Sequence, residues 1–179
     1  MGQWLAGFTS YALNKNLPGQ ERLIFLANIN KKLPLKDYYE QYSDKRPDNH
    51  PSGDNIYKLE NGKFIQLENR AHDAGNIESD LKGKNALIAD EFYYFGIEAM
   101  AVPPELRPNI PQRQSPYGYL TEGQKADDFI TYVKEYAAKH YPNKCGMLAD
   151  PYDPIKPITK NGTSKCGKSA YKKTDNCKC

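Results

Sequence analysis

Residues 85–96 read Asn-Ala-Leu-Ile-Ala-Asp-Glu-Phe-Tyr-Tyr-Phe-Gly, and no other stretch restricts the fold of this chain as strongly. The apolar run up to Ala89 suits a buried β-strand, and four consecutive aromatics after two carboxylates put large rings on both faces of that strand before Gly96. Alternation sends Phe92 and Tyr94 to one face and Tyr93 and Phe95 to the other. One of these pairs must be core. What is left for function at this end of the strand is Asp90 and one of Tyr93 or Tyr94.

The other elements follow from periodicity and breakers. Residues 22–29, Arg-Leu-Ile-Phe-Leu-Ala-Asn-Ile, predict a second central strand. Pro34 opens a short helix over 35–42, with Leu35, Tyr38, Tyr39 and Tyr42 on one stripe that is expected to pack on the sheet. Asn61-Gly62 between two short alternating runs predicts a β-hairpin over 55–67. Residues 69–84 read as loop, and residues 98–102 as a last short strand ended by Pro103-Pro104. Five prolines between 103 and 118 exclude regular helix or central strand there. Thr121 and Gln124 have capping-box spacing, and Ala126, Phe129, Ile130, Val133, Tyr136 and Ala137 mark one face of a long helix that ends before Pro142.

Several strands, one short and one long helix, and no βαβ alternation give an α+β class. The sheet is expected to be small, mixed or antiparallel, with a curled, barrel-like (PUA-like) form as a variant. With 179 residues, one α+β domain over 1–142 is expected, followed by a basic, cysteine-containing tail over 143–179 with little to bury. The first eleven residues begin inside what reads as a strand, which suggests a missing N-terminal strand. A hydrophobic content of 39% and a mean hydropathy of −0.82 exclude a spanning segment, and the absence of a signal peptide makes a cytoplasmic, reducing location the expectation.

From Lys156 to the end there are seven lysines against one acid in a chain whose net charge is +3, so the remainder is acidic and the basic character belongs to the tail. Such a tail is a solvated end or a phosphate contact. Cys145, Cys166, Cys177 and Cys179 offer only one close pair, which falls short of a zinc knuckle; no metal is assigned. The Rossmann, Walker A and nucleophile-elbow patterns are absent, which excludes the common cofactor and hydrolase classes.

The polar and aromatic residues at strand ends are the candidate site. Tyr57 with Tyr93 or Tyr94 can stack on a base, Asp54 and Asn55 can read a base edge, and Arg46 can meet a phosphate. His72 and Asp90 are the acid–base candidates. The bland readings stand beside these: Asp54 and Asn55 after Gly53 can simply build a turn, and one His in a polar loop often has no role.

Four pieces in order carry a family resemblance: Gly2-Gln-Trp-Leu-Ala-Gly7; residues 22–27 followed by the Tyr38-Tyr39 helix; Lys45-Arg-Pro47 with Gly53-Asp-Asn-Ile-Tyr57; and residues 86–96. Together they resemble the nucleotide modification associated domain 2 proteins of bacteria and phages, over roughly the first 105 residues. Gln3 stands where that motif usually carries Asp, and His72 is alone where the family tends to show paired histidines. The resemblance implies a role in systems that modify DNA bases, with nucleotide or DNA and other DNA-modification enzymes as partners, and no membrane. The expected function is binding of a nucleotide or flipped base, with action on it left open. Non-catalytic reading of modified bases, in the manner of the PUA, ASCH and EVE barrels, is the alternative, and a protein-interaction module is the third.

Overall fold

The computed structural model describes residues 3–9, 20–50, 53–69, 72, 75, 77–110, 122–144 and 146–150. These form an α+β fold of six strands and three α-helices. The strands are β1 (Gln3–Phe8), β2 (Leu23–Pro34), β3 (Tyr57–Glu60), β4 (Lys63–Gln66), β5 (Asn85–Tyr94) and β6 (Gly146–Met147). The helices are α1 (Leu35–Gln41), α2 (Ile77–Asp80) and α3 (Gln124–His140). One sheet has the order β1-β2-β5-β6, and β3 and β4 form a second. Among the described residues the strands close no barrel, so the curled PUA-like variant gives way to two open sheets.

The amide of Phe95 donates to Ile24 at 2.7 Å, and that of Leu35 to Lys84 at 3.2 Å. Ascending numbers on β2 therefore meet descending numbers on β5, and the two run antiparallel. β6 pairs with β5 in parallel, Tyr93 opposite Gly146 and Tyr94 opposite Met147, so the sheet is mixed. β2 runs five residues beyond the expected span, and α1 begins where Pro34 fixes the backbone. The segment after β5 differs from expectation: a 3-10 turn at Gly96–Glu98 replaces the start of a strand, and only a bridge between Leu23 and Met100 remains. The N-cap of α3 is Gly123, at φ 67°, with no side-chain cap, in place of the capping box read at Thr121.

Two compact units are present. The first, residues 29–89, holds α1, the β3–β4 hairpin and α2. Its hairpin turns at Asn61 (φ 49°) and Gly62 (φ 77°), the paired left-handed conformations that match the twist of the flanking strands.

The second unit holds residues 2–28 and everything from Asp90 onward. Its core gathers Leu23, Leu26, Phe95, Met100, Val102 and Leu148 around Phe129, Val133 and Ala137 of α3, which lie four residues apart on one helical stripe. Trp4, Ala6, Phe8 and Tyr93 pack on the same core, so β1 and β5 both turn alternate residues toward α3. Leu148 is a correction to the sequence reading: it lies past residue 143, where little was expected to be buried, yet it is 1% exposed. Its amide and that of Ala149 donate to the carbonyl of Tyr94, at 2.9 and 3.3 Å, which ties this segment to the end of β5.

Candidate nucleotide site

The sequence candidates fall into both units. Arg46, Asp54, Asn55, Tyr57 and His72 belong to the first; Asp90, Tyr93 and Tyr94 belong to the second.

In the first unit the Gly53-Asp-Asn-Ile-Tyr57 run is a brace for α1. Gly53 has no room for a side chain, because a Cβ there would meet the carbonyl of Lys45 and stand 2.6 Å from the carbonyl carbon of Arg46. Asn55 is 2% exposed, and its Nδ2 donates to the carbonyls of Tyr38 (3.1 Å), Tyr39 (3.4 Å) and Tyr42 (2.9 Å). Those are carbonyls at the C-terminal end of α1, which have no partner inside the helix. The amide read from sequence as a base contact is thus committed to closing a helix. Arg46 is committed as well: its Nε and Nη2 donate to the carbonyl of Tyr39 at 3.2 and 2.6 Å, and its guanidinium lies 4.1 Å from the centre of the Tyr39 ring. Exposed Asp54 accepts a hydrogen bond from the Tyr38 hydroxyl at 2.7 Å. Burial first, and then this bond to a carboxylate, hold the Tyr38 proton well above the usual tyrosine range.

Tyr57 and His72 do come together, on a residue the sequence reading left in a loop. Asp80, at the end of α2, accepts from the Tyr57 hydroxyl at 2.6 Å, and the same Oδ2 lies 2.6 Å from His72 Nδ1. The Tyr57 bond, followed by that of His72, pulls the Asp80 carboxyl below its ordinary range against the opposing effect of burial. Burial and Asp80 push Tyr57 the other way, well above its usual value. The Gln66 side chain donates to the His72 carbonyl at 2.9 Å and so holds this stretch of chain against β4. Its own Oε1 is buried and has no donor among the described residues. Asp80 was not identifiable from sequence because α2 is a single turn with no periodicity to mark which of its acids faces inward.

In the second unit the carboxylate with partners is Glu91 rather than Asp90. Glu91 Oε1 accepts from the Tyr93 hydroxyl and from Lys134 Nζ, both at 2.8 Å, and Lys134 sits 4.8 Å from the centre of the Trp4 ring. Burial raises the Glu91 carboxyl, but the Lys134, Tyr93 and Asn28 bonds outweigh it and leave the group below its usual range. Tyr93, by burial and then by Glu91, is pushed up to about 12. Asp90 is exposed. All four cysteines lie outside the described residues, and among those residues no group of three or more His, Cys, Asp or Glu could hold a metal ion. No described helix is long and apolar enough to cross a membrane.

The profile of the nucleotide modification associated domain 2 family matches residues 1–155. The chain belongs to that family. The match spans both units, including β6, and a role associated with nucleotide modification comes with membership. Comparison with curated proteins and with solved structures gives no match.

The tyrosines carry a pH prediction. Each raised tyrosine keeps its proton longer in the folded than in the unfolded chain, where the value is 10.0, so its contribution to stability is complete below pH 10. That contribution is lost as pH rises through about 12 for Tyr93 and higher still for Tyr57. Urea midpoints should therefore fall above pH 10, with tyrosinate absorbance at 295 nm lagging that of free tyrosine. Tyr57→Phe and Tyr93→Phe should each flatten the fall; an unchanged slope in both would contradict these assignments.

Proposed function

We propose that this chain binds a nucleotide or an extruded base against the Tyr57–His72–Asp80 cluster, with His72 as its acid–base residue. The observation that carries the reading is the 2.6 Å contact between His72 Nδ1 and Asp80 Oδ2. A carboxylate at Nδ1 holds the proton on that nitrogen and fixes the ring orientation, which makes Nε2 the basic atom toward a ligand. Asp80 takes the partner role that sequence reasoning gave to Asp90. Tyr57 shares the same oxygen and so ties the pair to the base of the hairpin. The buried Oε1 of Gln66 beside the His72 carbonyl suits an amino group on a base edge. In this arrangement Asn55, Arg46 and Asp54 hold α1 and the loop after it in place rather than touching the ligand. Family membership supports the class of ligand. DNA, presented as a flipped base, is the polymer version of the same ligand.

Titration calorimetry with the deoxynucleoside monophosphates tests binding. Asp80→Asn, which leaves an amide in place of the anion that orients the ring, should weaken the preferred nucleotide about tenfold. Mass spectrometry of nucleosides from cells with the gene, without it and with His72→Gln tests action on the base. The proposal predicts a modified nucleoside that depends on both the gene and His72. Binding with an unchanged nucleoside profile would make the protein a reader of modified bases instead. Absence of both binding and modification would overturn the site.

A further inference from the structure

We propose that the face of the four-stranded sheet opposite α3, in the second unit, is a stacking platform for single-stranded nucleic acid. Three rings lie on this face, each over a glycine. A Cβ on Gly7 would stand 2.6 Å from Cδ1 of Phe25, one on Gly146 would stand 2.8 Å from Cζ of Phe92, and one on Gly96 would stand 2.9 Å from Cε1 of Tyr94. The first two contacts join neighbouring strands of the sheet, β1 with β2 and β6 with β5. None of the three rings belongs to the core around Phe129 and Val133, and all three are half-buried. Leu5, on the same side of β1 as Gly7, is 43% exposed.

A ring laid flat on a glycine is held by one face and can offer the other, and every base has a π-face to place against it. Asp90 is exposed on β5 beside Phe92 and on the same side of the strand. A carboxylate there can accept from an exocyclic amino group, whereas an apolar protein surface would have to desolvate it. The phosphates have their complement in the chain that follows: beyond β6, an edge strand of this sheet, come seven lysines and one acid from Lys156 onward. Rings on the sheet and lysines in the chain after its edge strand match the two halves of a single strand, bases and backbone.

The platform rests on the nucleotide reading above for the class of ligand, but its residues belong to the other unit. The test uses the full chain and fluorescence anisotropy of a labelled single-stranded oligodeoxynucleotide over a series of salt concentrations. Phe25→Leu and Phe92→Leu keep an apolar side chain over each glycine and remove the ring. Each should weaken strand binding at least fivefold, the pair together more, while Phe92→Trp restores it. Replacing the tail lysines with glutamine should flatten the salt dependence and leave in place the difference that Phe92→Leu makes. Leucine variants that bind like the unaltered chain, or a duplex bound as well as the single strand, would overturn the platform. So would a dimer that dissociates in Phe92→Leu with no strand affinity in either form, because the face would then be covered by a second copy. If mononucleotides still bind in an Asp80-dependent way while strands do not, the platform alone fails; if neither binds, the nucleotide reading fails with it.

Discussion

Arg107→Ala should cost about 3–5 kcal/mol of stability, because it leaves a buried carboxylate without its counter-charge. The Arg107 guanidinium lies 3.3 Å from the Glu21 carboxylate, and the two side chains are only 14% and 8% exposed. Arg107 also donates to the backbone carbonyl of Glu21. Glu21 sits two residues ahead of Leu23, whose amide donates to Met100 at 2.8 Å and whose side chain is wholly buried. The ion pair therefore pins the 3-10 turn at Pro104–Leu106 to the head of β2. Removing the cation frees the turn and strands the anion together. A double change, Glu21→Met with Arg107→Met, removes the desolvation problem along with the attraction and should recover most of the loss. Urea denaturation of the three proteins measures it. If Arg107→Ala unfolds within about 1 kcal/mol of the unaltered chain, the pair behaves as a surface bridge and the assignment fails.

That pair illustrates where the sequence stops being legible. Local signals carried the fold class: Pro34 placed α1, Asn61-Gly62 placed the hairpin, and the Phe129, Val133, Ala137 stripe placed α3. Alternation along β5 correctly separated Tyr93 and Phe95, which pack on the core, from Phe92 and Tyr94. These are arguments over a few residues. Arg107 and Glu21 are 86 positions apart, and nothing in a proline-rich connector says which acid its arginine will meet. The strand at Gly146–Met147 was missed for a related reason. Two residues have no periodicity, and their pairing depends on β5 offering an open edge and on Leu148 finding space in a core assembled from elsewhere.

The candidate site was legible in its residue types but not in its roles. Histidine, aspartate and tyrosine in neighbouring loops pointed to acid–base or base-binding chemistry, and the structure joins two of them, Tyr57 and His72, through a third, Asp80. What sequence could not distinguish is an amide that faces a ligand from an amide that faces a helix end. Both follow a glycine, both are polar, and both sit beside aromatics. Burial decides between them.

Asn55→Asp is the change that exposes this difference, and it should destabilise the first unit by about 3 kcal/mol or more. The substitution keeps the shape of the side chain and opens no cavity, so packing is held constant. It replaces a two-proton donor with an acceptor in front of three carbonyl oxygens. It also sets a negative charge at the C-terminal end of α1, where the helix dipole is already negative, at a position 2% exposed. Asn55→Ala loses the same bonds without adding the charge and should cost less. Guanidinium denaturation, followed by circular dichroism, ranks the two. A scaffold role predicts that both variants lose stability in that order, and that any loss of nucleotide binding tracks the folded fraction. A base-reading role predicts the opposite pattern: Asn55→Asp folded like the unaltered chain, with its preference among the four nucleotides changed, since swapping donor for acceptor inverts the edge it can read.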